Sequence, residues 1–188
     1  MRAILFVFLI LISASTIRAQ TSCITEEVCF NNEISENEKL IPLRAMAEFR
    51  YYGFRVYSVG LYSQSSKENI KSWINDKKEP HSLDFTLHYE RDFSAEDFIE
   101  SGTEVIKENK TVSLSEINDG LSKINSLYKP VKAGDRYTIR FKKGEGITLL
   151  LNNLALGTIP GEEFARAYLG IWLSKYSLSE KFTKKLLG

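Results

Sequence analysis

The sequence predicts an α+β domain: a mostly antiparallel sheet with helices packed on one face. Three observations point there. Extended aromatic and β-branched segments alternate with amphipathic ones in the order strands, helices, strands, helices. Short turn signals join successive strands, so hairpins outnumber parallel crossovers. No repeat, low-complexity stretch or linker divides the 188 residues, a length that suits one domain.

Residues 1–19 place Arg2 before an apolar run from Ala3 to Ile12, then small and polar residues and Ile17-Arg18-Ala19. That is the layout of a secretory signal peptide cleaved after Ala19. The run is too short for a transmembrane anchor, which needs about 20 apolar residues. The expectation is a mature chain without a membrane span, periplasmic or secreted. Cleavage removes Arg2 and Arg18 and no acid, so the net charge passes from +1 to −1. Such a balance argues against a nucleic-acid partner, which demands a basic excess. Cys23 and Cys29 stand six apart near the new N-terminus. Export favours a loop-closing disulfide between them, and two free thiols are the alternative. A lipoprotein would need an apolar residue where Gln20 stands. Asn109-Lys110-Thr111 is a glycosylation sequon, meaningful only in a eukaryotic secretory pathway.

Residues 20–37 are polar and read as a leader or an edge segment, which sets the domain at 38–188. Phe49 to Tyr62 is aromatic and β-branched, with Gly53 as a turn or bulge. Residues 66–76 offer a short helix around Ile70 and Trp73. After Pro80, Leu83, Phe85, Leu87 and Tyr89 alternate onto one strand face. Ser94 with Asp97 forms a capping box and opens a helix with Phe98, Ile99, Val105 and Ile106 on its buried side. Ser113 with Glu116 opens another, which Pro130 ends. Tyr137–Phe141, Ile147–Leu151 and Leu154–Ile159 are strands, the last two joined at Asn152-Asn153. Pro160-Gly-Glu-Glu starts a helix carrying Phe164, Tyr168, Ile171 and Trp172. Ser177 with Glu180 starts the last one.

Several chemistries lack their residues. There is no phosphate-cradling glycine loop, no HExxH and no Gly-x-Ser-x-Gly elbow. Gly144-Glu-Gly146 is a lone GxG inside a hairpin. His81 and His88, seven apart on one strand, point to opposite faces and make a poor metal pair. No cofactor is expected. Glu162 and Glu163 read as acids at a helix start rather than a catalytic pair. What remains is a cluster of arginine and tyrosine: Arg44, Arg50, Arg55, Tyr51, Tyr52, Tyr57 and Tyr62. An arginine in an apolar sheet cavity would hold a carboxylate, and a nearby tyrosine hydroxyl would add a second bond. The plainer alternative has the arginines in water and the tyrosines filling a sheet face.

Here the chain resembles the chalcone isomerase-like family. The resemblance rests on Tyr52-Gly-Phe-Arg-Val-Tyr-Ser-Val-Gly-Leu-Tyr62, on Leu87-His-Tyr-Glu-Arg-Asp-Phe93 leading into a helix, on Gly134-Asp135, and on Phe164-Ala-Arg-Ala-Tyr-Leu-Gly-Ile-Trp-Leu173 with Leu186-Leu187-Gly188. The closing block is similar to the exported bacterial branch. The resemblance implies an open-faced β-sandwich with a cleft between sheet and helices. Plant members either close chalcones to flavanones or bind fatty acids. The isomerases' threonine falls on Tyr57, and their arginine falls near Arg44 with Arg50 as rival. Their tyrosine and asparagine would fall between Ser94 and Gly102, where neither type occurs, and a later serine or threonine falls near Gly170. The match is better to the binding branch, whose arginine and tyrosine clasp a fatty-acid carboxylate. The expectation is a non-catalytic binder of a fatty acid or similar amphiphile, with Arg44, Arg50, Tyr57 and Tyr62 as candidate ligand residues. An isomerase-type enzyme and a module with a filled core are the alternatives.

Overall fold

A computed structural model describes residues 20–36, 38–76, 78, 82–110 and 112–188. Residues 1–19, expected from the sequence to be a signal peptide, His81 and Thr111 of the sequon lie outside them. Seven strands form one antiparallel sheet in chain order: β3 (Glu33–Glu36), β4 (Lys39–Tyr51), β5 (Phe54–Ser63), β6 (Ser82–Tyr89), β7 (Arg136–Lys142), β8 (Gly146–Leu151) and β9 (Leu154–Ile159). β1 (Thr21–Cys23) and β2 (Cys29–Asn31) make a separate hairpin. The helices are α1 (Lys67–Asp76), α2 (Ala95–Glu108), α3 (Leu114–Leu127), α4 (Glu162–Leu173) and α5 (Glu180–Leu187). Among the described residues no helix is long and apolar enough to cross a membrane.

The alternation of β6 works as its sequence predicts. Leu83, Phe85, Leu87 and Tyr89 all join the main core under the helices. α4 is the centre of that layer. It touches α1, α2, α3, α5 and β8. Every residue from Phe164 to Leu173 except Arg166 is buried, as in a helix apolar on all sides.

Three helix starts differ in detail from their sequence signals. Ser94 and Asp97 form both halves of the box at α2. At α3, Ser113 is the N-cap, but its hydroxyl lies 3.0 Å from that of Ser115 and caps no amide. Ser179, not Ser177, caps α5, because Ser177 Oγ bonds Thr183 instead. At α4 the cap is Gly161, which puts Pro160 one residue outside the helix.

The boundary drawn at residue 38 moves toward the N-terminus. β3 pairs with β4 and edges the main sheet. The β1–β2 hairpin covers the sheet face away from the helices, where Val28 and Phe30 join Ile41 and Tyr62 in a second buried cluster. A disulfide links Cys23 to Cys29 within it. Composition hid this because only Val28 and Phe30 anchor an otherwise polar segment. Gly60 makes room for it: a Cβ there would sit 2.5 Å from a carbon of the Phe30 ring.

Arg136 clamps the same hairpin. It donates from one terminal nitrogen to the carbonyl of Cys29 at 2.8 Å, and its guanidinium lies 5.0 Å from the Phe30 ring centre. Its Nε donates to Nδ1 of His88 at 3.2 Å, which requires a neutral imidazole. Burial, and then the charge of Arg136, holds His88 below its ordinary pKa. A base whose folded pKa is depressed stabilises fully above its unfolded value, about 6.5, and loses that stabilisation as pH falls below it. The melting temperature is expected to drop between about pH 7 and pH 5. His88→Gln should flatten that drop, as differential scanning fluorimetry across pH would record.

Candidate functional site

Between the sheet, α2, α4 and the end of the α3 segment at Tyr128 lies a cleft of about 480 Å³. Its sheet wall carries Phe49, Tyr57, Leu87, Tyr89, Tyr137, Ile139 and Leu149. Its helix wall carries Phe98, Val105, Tyr128, Tyr168, Ile171 and Trp172. Exposed Tyr51, Arg91, Glu100, Glu104 and Leu178 mark the mouth. The size and apolar lining are those of a small-molecule site, with few polar groups inside.

Those few polar groups are phenols and one indole. Trp172 Nε1 donates to the Tyr57 hydroxyl at 3.0 Å, which leaves the tyrosine's own proton free to donate into the cleft. The Tyr89 ring packs edge-on against Tyr57 and Phe93. Tyr128 and Tyr168 bond each other through their hydroxyls. Tyr137 is satisfied by the carbonyl of Lys129 at 2.9 Å. Burial pushes Tyr57, Tyr89 and Tyr168 well above the ordinary phenol range, and the Trp172 bond offsets only part of that at Tyr57. All three stay neutral at physiological pH, so the interior offers neutral hydrogen bonds and no charge.

The mouth is different. Arg91 is the single basic residue that lines the cleft among those described. It lies two residues past Tyr89, on the same side, with its guanidinium 5.6 Å from the Phe93 ring centre. Asp97 also lines this side, but its carboxylate is occupied by the backbone and side chain of Ser94. Gly102, within α2, is part of the wall; a Cβ there would meet only Ile171 Cδ1, at 3.8 Å.

A chalcone isomerase-like family profile matches residues 25–188. The chain belongs to the chalcone isomerase-like family. No curated protein sequence matches it. Among solved structures, the crystal structure of a fatty-acid binding protein of Arabidopsis thaliana superposes with a TM-score of 0.63. The match covers 89% of this chain and 96% of that one, at 12% sequence identity. At that identity the likeness establishes the fold, an open-faced sheet with helices on one side.

Within this fold the candidate ligand residues separate. Tyr57 lines the cleft. Arg44 does not: its Nε and a terminal nitrogen donate to the carbonyls of Ser63 and Gln64, at 2.8 and 3.0 Å, and tie down the end of β5. Arg50 does not line it either: it is paired with Glu48 at 2.7 Å and bonded to the Gly53 carbonyl. Tyr62 is five residues from Tyr57, an odd step along one strand, so it points to the other side of the sheet. Burial lifts its hydroxyl to about 12 in that second cluster. The residue across the hairpin from Tyr57 is Phe49, stacked on it at 5.0 Å between ring centres. The clasp expected from Arg44 and Tyr57 is therefore not assembled.

Arg91, Tyr89, Tyr168 and Trp172 take the places at the cleft that sequence reasoning did not assign. One signal was available for Arg91. The face shared by Leu83, Phe85, Leu87 and Tyr89 continues, at the same spacing, to residue 91.

Proposed function

We propose that the protein, exported and freed of its signal segment, binds a fatty acid or similar single-chain amphiphile in this cleft and carries out no chemistry on it. The observation that carries the reading is an apolar cleft of about 480 Å³ with a neutral interior and one arginine at its mouth. The chain of the ligand would replace water against Leu87, Ile139, Leu149 and Ile171, each methylene stabilising the complex by about 0.8 kcal/mol. A carboxylate drawn to the inner end would stand unpaired among phenols, at several kcal/mol. At the mouth it keeps its water and gains Arg91. The same class is supported by the Arabidopsis thaliana neighbour in fold, described as a fatty-acid binding protein. An isomerase needs a bound phenolate and a stabilised enolate charge, and among the described residues no cation lines the interior for either.

Arg91→Ala tests the head-group assignment. A charge-assisted hydrogen bond contributes about 1.5–3 kcal/mol. Titration calorimetry with a fatty acid is expected to show at least a tenfold loss of affinity, about 1.4 kcal/mol. The fatty alcohol of equal length should bind both proteins alike. Equal losses for acid and alcohol, or none for the acid, would remove Arg91 from the site.

A further inference from the structure

The tip of the β4–β5 hairpin carries rings that the fold does not use. Tyr51, Tyr52 and Phe54 are 61%, 84% and 71% exposed. The turn residues Tyr52 and Gly53 both have positive φ, 49° and 83°. That is the pattern of a tight hairpin turn which favours Asn-Gly or Gly-Gly. A tyrosine at the first position is strained, because its Cβ crowds the backbone there. Its ring gains only an edge contact with Tyr51, 4.5 Å between centres. Folding alone would favour asparagine at Tyr52, so the ring points to something outside the molecule.

We infer that this aromatic tip docks the protein on a lipid bilayer and sets the cleft mouth at headgroup level. The inference rests on the proposed amphiphile cargo for its purpose, but not for its test. A bilayer fits the tip better than a protein partner. A stable protein interface buries about 800 Å² on each side, and a convex two-residue turn presents little flat area. Separate tyrosine and phenylalanine rings suit the bilayer interface, which accepts each ring individually. Tyr51 belongs to both tip and cleft, so docking opens the mouth toward the layer where an amphiphile leaves the bilayer. Arg50 and Arg55, 46% and 41% exposed, form a collar below the rings. Glu48 and Glu90 pair with that collar. The attachment therefore depends on the rings and only weakly on salt.

The test is co-flotation of the chain 20–188 with phosphatidylcholine vesicles, with and without phosphatidylglycerol, at low and high salt. The wild-type protein should float with both vesicle types at both salt levels. Tyr52→Asn combined with Phe54→Thr should weaken vesicle binding at least about tenfold, since each buried aromatic ring contributes on the order of that factor. The single change Tyr52→Asn should keep or raise the melting temperature, because it installs the preferred turn pair. Uptake of a fluorescent fatty-acid analogue without vesicles should be unchanged in both variants. A wild-type protein that stays in the soluble fraction overturns the inference, and so does a double variant that floats as well as wild type. Binding to another protein without flotation overturns it as well. A wild-type protein that floats but takes up no analogue would overturn the cleft reading and leave this surface standing.

Discussion

Gly102→Trp is expected to weaken amphiphile binding about a hundredfold while leaving the fold intact. Gly102 lies inside α2, where glycine is disfavoured by about 1 kcal/mol relative to alanine. Nothing in the packing demands it, since a Cβ would make one ordinary contact at 3.8 Å, with Ile171 Cδ1. Its missing side chain is space in the cleft wall. An indole there would displace about four methylenes of a bound chain, on the order of 3 kcal/mol or a hundredfold in affinity. Gly102→Ala serves as the control. It should raise stability by about 0.5–1 kcal/mol and reduce affinity only slightly. Chemical denaturation reports the first quantity and titration calorimetry the second. A tryptophan variant that folds and binds normally would show that the ligand does not occupy this cleft.

Phe30→Ala is expected to destabilise the protein by about 3–5 kcal/mol, the range for removing a buried phenylalanine. Phe30 is 1% exposed, lies against Gly60 and supports the Arg136 guanidinium. No smaller side chain fills that volume, and Arg136 would lose its aromatic face. Gly60→Ala attacks the contact from the other side. The ring must move to admit a methyl group at 2.5 Å, an overpacking cost of about 1–3 kcal/mol. Both losses should appear in urea denaturation with little change in fatty-acid affinity, because the second cluster lies across the sheet from the cleft. A mild Phe30→Ala would mean that the hairpin is an accessory to the domain and not part of it.

The sheet and helices were legible because their signals are local. Strand alternation at Leu83 to Tyr89, the box at Ser94 and Asp97, and the Asn152-Asn153 turn each depend on a few neighbouring residues. The cleft was less so, because register across a hairpin is not a local property. Anchored on Gly60-Leu61-Tyr62, the sequence places Tyr57 in the site, and Tyr57 lines the cleft. Counting further back along the chain to an arginine assumes a turn length. With Tyr52 and Gly53 as the turn, Tyr57 faces Phe49, and Arg44 lies five residues beyond, at an irregularity between Leu43 and Ala45. Helix-borne partners such as Trp172 meet Tyr57 only through the packing of α4 on the sheet, which no spacing encodes.

The proposed function stands on the occupancy of the cleft by a single-chain amphiphile. Native mass spectrometry of the chain 20–188, with organic extraction of bound material and an offered panel of fatty acids and alcohols, tests it most directly. One amphiphile per protein molecule is expected, and its loss in Gly102→Trp. A bare protein mass from every preparation, with no uptake from any member of the panel, would contradict it and leave the cleft without a cargo.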